Sequence, residues 1–227
     1  MWIVQTLSSN IGKKLIMSLT GLFLITFLIV HVSGNLLLLK GDEGKAFNMY
    51  AEFMTTNPVI KASSYILYST FVIHIVWALL LTIANSSARK VDYSFNNPSA
   101  NSQFNSRNMG ILGTLLLIFL IIHMQNFWYE FKFGNPPTVT YEGSGEYRDL
   151  YTIVAVTFSQ SWYALFYVIS MISLSFHLWH GFQSAFQTLG LNHKKYTPLI
   201  EVLGKIYSVL IPSLFATLPI WAYFFKL

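Results

Sequence analysis

The sequence predicts an all-α membrane protein, a bundle of five transmembrane helices in one domain, residues 1–227. Of its 227 residues 54% are hydrophobic and only 10% charged, against about 25% charged in a soluble domain, so there is too little polar material to coat a water-facing surface. An aromatic content of 17% is equally foreign to a disordered chain. Five segments then hold the about 20 mostly apolar residues that a helix needs to cross a hydrocarbon core of about 30 Å.

The first helix is expected over 14–39, built on LIMSLTGLFLITFLIV. It lacks the small-residue cleavage site of a signal peptide and is long enough to span, so it is read as a mature helix. The second covers 62–84, the third 109–131, the fourth 162–187 and the fifth 203–225. Polar loops carrying Asn, Ser, Gly and Pro separate them. The loop between the third and fourth, with Asn135-Pro136-Pro137 and Gly143-Ser144-Gly145, reads as irregular surface structure.

The chain has no cysteine. This excludes disulfides, zinc–thiolate sites, iron–sulfur ligation and thioether-linked haem within it, so any metal is held by nitrogen or oxygen. The net charge of +5 comes from 14 Lys and Arg that form no dense run, which favours inside-facing loops over a nucleic-acid surface. With the N-terminus inside, the inner side holds Lys13, Lys14, Arg89, Lys90, Arg107, Lys194, Lys195 and Lys205. The outer side holds Lys40, Lys45, Lys61, Lys132, Arg148 and Lys226. Eight against six is a slim majority for the N-in, C-out arrangement.

Ionisable side chains inside a span are costly, and each is a functional candidate. His31 falls in the first helix, His74 in the second, His123 in the third, and His177 with His180 in the fourth; His193 falls in an inner loop. Helix rise sets their depths. His31 stands about 16 residues above the inner start of its helix and His123 about 14, so both lie roughly 21–25 Å from the inner side. His74 and His177, about 12 and 15 residues below the outer starts of theirs, lie roughly 18–23 Å from the outer side. Two histidine pairs therefore arrive at two levels, very roughly 10–15 Å apart.

Two stacked bis-histidine haems require that arrangement, and an iron with both axial positions taken is suited to passing electrons. Interhelical hydrogen bonding, a proton relay and a zinc site are the competing uses of such histidines, the last lacking an intramembrane carboxylate. On helix four His177 matches the depth of His74 and is the preferred ligand. His180, about 4–5 Å nearer the inner surface, is the alternative, or else a propionate-side, quinone-side or interfacial residue. Gly34 and Gly181, three and four residues after His31 and His177, would let a flat macrocycle approach the backbone, or simply serve helix packing. Trp128, Tyr129, Trp162, Tyr163, Trp221 and Tyr223 read as an interfacial belt.

Five spans with His31, His74, His123 and His177, the strings LIVHVSGN, KAFNMYAEFM and FHLWHGFQSAFQTLG, and the H-x3-G spacing from His177 to Gly181 resemble the dihaem cytochrome b anchor of succinate:quinone oxidoreductases of the single-large-anchor type. The resemblance covers nearly the whole chain. It implies an electron-transfer subunit of succinate dehydrogenase or fumarate reductase in the bacterial cytoplasmic membrane, with two b haems, the pairs being His31/His123 and His74/His177. It also implies a flavoprotein partner with covalent FAD and the dicarboxylate site, an iron–sulfur partner, and a quinone, menaquinone by the same resemblance. A dihaem anchor of another quinone-linked dehydrogenase, or a non-haem transporter or scaffold, is the alternative. Quinone chemistry needs a proton donor and acceptor, for which Glu52, about 21 residues after His31, is the candidate beside the distal haem; a solvated loop carboxylate is the plain alternative. Ser9, Lys13 and Lys14 could contact propionates, quinone or the iron–sulfur partner. The segments 85–108 and 189–201 would face the soluble subunits, and His193 reads as an ordinary loop histidine.

Overall fold

The computed structural model describes Gln5, residues 9–87 and residues 104–225. Of the expected inner loop, residues 88–103, with Arg89, Lys90 and Asp92, lie outside the described residues, as does Lys226. Within them the protein is nearly all α and has five helices long and apolar enough to cross a membrane. Helix α1 spans Asn10–Asn35 and continues as a 3-10 turn, Leu36–Leu39; α2 spans Lys45–Thr56 and α3 Pro58–Ser87. A single turn, Phe104–Arg107, leads into α4, Met109–His123, which widens into a π-helical stretch over Met124–Tyr129 before a last turn, Glu130–Phe133. Strands β1 (Thr138–Tyr141) and β2 (Gly145–Arg148) follow, then α5 (Leu150–Phe158), α6 (Ser161–Thr188) and α7 (Thr197–Phe225).

The spanning helices run a few residues past the apolar segments because polar caps extend them. Ser9 Oγ accepts from Gly12 N at 3.1 Å and starts α1. Asn57 Oδ1 accepts from Val59 N at 2.9 Å, with Pro58 at the first helical position of α3. Thr197-Pro198 opens α7, the Thr197 hydroxyl accepting from His193 N of the preceding turn at 2.9 Å.

The segment between the third and fourth spans is not irregular. Its NPP and GSG turns frame an antiparallel hairpin pairing Val139 with Tyr147, and a further helix, α5, follows. The segment after α1 likewise folds into α2, a helix too short and too polar to register as a span. Both lie at one end of the bundle, here the hairpin end, and their joint is Asn48, 0% exposed. Its amide nitrogen donates to Tyr141 Oη and to Asp149 Oδ1, both at 2.9 Å, and its oxygen accepts from Tyr151 N at 2.9 Å. Asp149 in turn caps α5 through Thr152 N at 3.0 Å.

A buried apolar cluster also lies here, formed by Leu38, Phe47, Val154, Phe158, Tyr167 and Leu218. Along the bundle α6 is the central rod, packed against α7, α1 and α4, while α1 also packs along α3. Ile66, Val72, Leu79 and Ile83 of α3 and Ile111, Leu115 and Ile118 of α4 are exposed. An apolar outer surface is what a lipid-facing helix presents. Trp128, Trp162 and Trp221 all fall at the hairpin ends of their helices, where Trp128 Nε1 donates to Tyr68 Oη at 2.8 Å and Trp162 Nε1 to Gln160 Oε1 at 3.0 Å.

Candidate functional site

The four histidines come together in two pairs. The rings of His31 on α1 and His123 at the end of α4 have centroids 5.8 Å apart and planes at 85°. Those of His74 on α3 and His177 on α6 are 6.4 Å apart at 63°. The pairs stand at different levels: Thr20 of α1 touches His74 and lies eleven residues before His31, about 16 Å along the helix axis. On α6, Tyr167, whose ring lies 6.2 Å from that of His123, precedes His177 by ten residues, about 15 Å. His31 and His123 are nearer the hairpin end.

These separations bear on what could sit between the rings. A metal–imidazole bond of about 2.0 Å and about 1.1 Å from nitrogen to ring centroid put two axial imidazole centroids about 6.2 Å apart. Both observed spacings lie close to that. Among the described residues no third His, Asp or Glu joins either pair, so the donor set to be accounted for is two imidazoles.

The surroundings of the pairs differ. His31 and His123 are set in aromatic rings: Phe27 stacks on His31 at 5.2 Å, Phe215 lies 5.5 Å from His31, Phe119 stacks on His123 at 5.5 Å and Phe127 lies 5.5 Å from it. Asn35 Nδ2 lies 3.3 Å from His31 Nδ1 and donates to the His31 carbonyl at 2.7 Å. His74 Nδ1 meets Thr20 Oγ1 at 3.1 Å. The Nδ1 atoms of His123 and His177 are buried without a hydrogen-bond partner among the described residues.

The glycines divide. A Cβ on Gly181 would meet nothing within 4 Å, leaving open space one turn from His177. Gly34 does not serve a ligand face: a Cβ there would run into the ring of Tyr50, so its small size seats α2 against α1. Gly21, which the histidine pattern does not single out, lies beside the second pair, its ideal Cβ 3.6 Å from His74 Cε1. Thr20 carries no ionisable group, yet the helix rise that sets the depths of the histidines puts it level with His74.

The other candidates lie apart. His180 is half-buried on α6, one turn beyond His177. His193 is exposed, stacked on Tyr196 at 5.1 Å. Glu52 is half-buried on α2, and its carboxylate makes no hydrogen bond or ion pair among the described residues. It does not line the cleft of about 530 Å³ that opens at the hairpin end, where Gln125, Asn126, Tyr129, Glu130 and Gln160 gather around the π-helical stretch after His123. Ser9 caps α1, Lys13 is half-exposed, and exposed Lys14 borders a shallow cleft with Gln187 and Thr188. Comparison of the chain with protein-family models, with curated proteins and with solved structures finds no match.

Proposed function

We propose that this chain is the membrane-anchor cytochrome b of a succinate dehydrogenase or fumarate reductase, carrying electrons between an iron–sulfur partner and membrane quinone. It would lie in the bacterial cytoplasmic membrane with its N-terminus inside. The observation that carries the reading is the pair of imidazole–imidazole spacings, 5.8 and 6.4 Å, at two levels of a five-span bundle. A two-nitrogen donor set suits an ion whose remaining positions a macrocycle fills, as in haem b, which supplies reversible one-electron chemistry when both axial sites are taken.

In this reading the chain's own residues position, insulate and orient. α1 and α4 present His31 and His123 to each other, and Phe27, Phe119 and Phe215 keep water from that pair. α3 and α6 present His74 and His177, with the space beside Gly181 left clear. The two histidine levels stand about 15 Å apart by helix rise. Gln125, Asn126 and Gln160 would offer a quinone head group hydrogen-bonding partners in the hairpin-end cleft, with Glu130 of its lining as the carboxylate that exchanges protons there; Glu52, outside that cleft, would serve only a quinone bound on the α2 side. The end opposite the hairpin, with residues 189–201, would receive the iron–sulfur and flavin-bearing partners. Menaquinone is the quinone proposed.

The test is a reduced-minus-oxidised optical spectrum and haem quantification on the purified assembly, with its subunits identified from the same sample. Two b haems per chain and a covalent flavoprotein partner are expected. A colourless assembly ends the haem reading. Two haems with a different dehydrogenase partner would leave a dihaem anchor and remove the succinate assignment.

A further inference from the structure

Of the four paired histidines, His74 is the one whose Nδ1 meets a side chain from another helix among the described residues. Thr20 Oγ1 lies 3.1 Å from His74 Nδ1. The same hydroxyl donates to backbone carbonyls of its own helix, at 2.8 Å to Ile16 O and 3.1 Å to Met17 O. A threonine hydroxyl has one hydrogen and two lone pairs. With that hydrogen directed to the Ile16 carbonyl, the contact with the ring is satisfied when Nδ1 carries the proton and Oγ1 accepts it. In that arrangement the ring is the tautomer with Nδ1 as N–H and the lone pair on Nε2. Gly21 lies beside the same ring, an ideal Cβ there standing 3.6 Å from Cε1, so α1 borders His74 at both Nδ1 and Cε1.

We propose that Thr20 is the positioning residue of the second pair: it holds His74 as the Nδ1–H tautomer, makes Nε2 the more basic donor, and so distinguishes the His74/His177 site electronically from the His31/His123 site. The proposal rests on the reading of His74 and His177 as axial ligands. Its basis is general. An N–H···O contact on the far side of a ligating imidazole fixes the ring and strengthens it as a donor, and removing the partner commonly costs 10–100-fold. A stronger donor favours the oxidised ion, so the loss of Thr20 raises the reduction potential of this site alone.

The experiment uses the intact assembly, with potentiometric titration followed optically and low-temperature EPR of the ferric state. In Thr20→Val, which keeps the shape and removes the hydroxyl, one of two midpoint potentials is expected to rise by the equivalent of a tenfold change in the oxidised-to-reduced ratio, about 59 mV for one electron. The EPR feature of the same site should move with it, while the other site stays in place. Thr20→Ser should restore both. If Thr20→Val does not accumulate, Thr20→Ala removes the same hydroxyl without crowding. Two unshifted midpoints in the hydroxyl-free variant, or a Thr20→Ser protein displaced as far as Thr20→Val, overturns the role of Thr20 and leaves the haem reading standing. A wild-type assembly without haem overturns the reading beneath it.

Discussion

Replacing Asn48 with alanine removes three hydrogen bonds from the hairpin end in one step. The side chain joins α2 to β1 through Tyr141 Oη, to the α5 cap through Asp149 Oδ1, and to the first turn of α5 through Tyr151 N, each at 2.9 Å. A neutral hydrogen bond contributes about 0.5–1.5 kcal/mol and one to a charged group about 1.5–3 kcal/mol, so the variant should lose about 3–5 kcal/mol, with the Tyr151 N–H left unpaired as part of that cost. Since about 1.4 kcal/mol is tenfold, hydrogen exchange through local opening should accelerate at least about a hundredfold in the hairpin and α5. The measurement is hydrogen exchange by mass spectrometry on the protein in lipid discs, comparing Thr138–Tyr141, Gly145–Arg148 and Leu150–Phe158 with the middle of α6. Acceleration confined to the hairpin end is expected, because the spans hold their own backbone bonds. Exchange there within about threefold of wild type would refute the view that one buried amide ties this end together.

Four further outcomes follow from the geometry. His31→Ala or His123→Ala should abolish one haem signal while sparing much of the other, His74→Ala or His177→Ala should do the reverse, and His180→Ala should keep both; loss of a haem in His180→Ala with retention in His177→Ala would reverse the assignment on α6. Glu52→Gln should slow quinone turnover if Glu52 exchanges the protons, and unchanged turnover would leave that role to Glu130. Gly44→Ala should lower thermal stability by about 1–2 kcal/mol or more, since φ is +80° in a region costly for a Cβ and that Cβ would run into Tyr151; melting in detergent checks it. Burial pushes the Tyr141 phenol above its ordinary 10.0, the Asn48 hydrogen bond opposing and Asp149 and Asp42 reinforcing the shift. The stability it confers is therefore complete below about pH 10 and lost as pH rises through the folded value, so protease resistance of the hairpin should stay level through neutral pH and fall only when tyrosinate absorbance appears.

The five spans were legible because apolar length is a property of contiguous residues, and a bilayer demands it of each helix separately. The levels of His31, His74, His123 and His177 were legible for a related reason, since helix rise converts residue number into depth. Rotation about the helix axis was not. Gly34, three residues after His31, has the spacing of a ligand-face glycine yet meets Tyr50 of a helix that the apolar pattern does not disclose. The hairpin strands are four residues each and α5, though apolar, is nine, too short to span, and they are tied down by Asn48, which lies 93 residues from Tyr141 and 101 from Asp149 in the chain.

The sequence by itself determined that this is a multi-pass membrane protein and that its buried imidazoles lie at two depths, because hydrophobic length and helix rise act along one dimension. Tertiary packing decided which rings pair, that His177 rather than His180 stands beside His74, and that a threonine from α1 meets Nδ1 of His74. Those choices depend on the azimuth of each helix, and azimuth is set by the residues of the neighbouring helices.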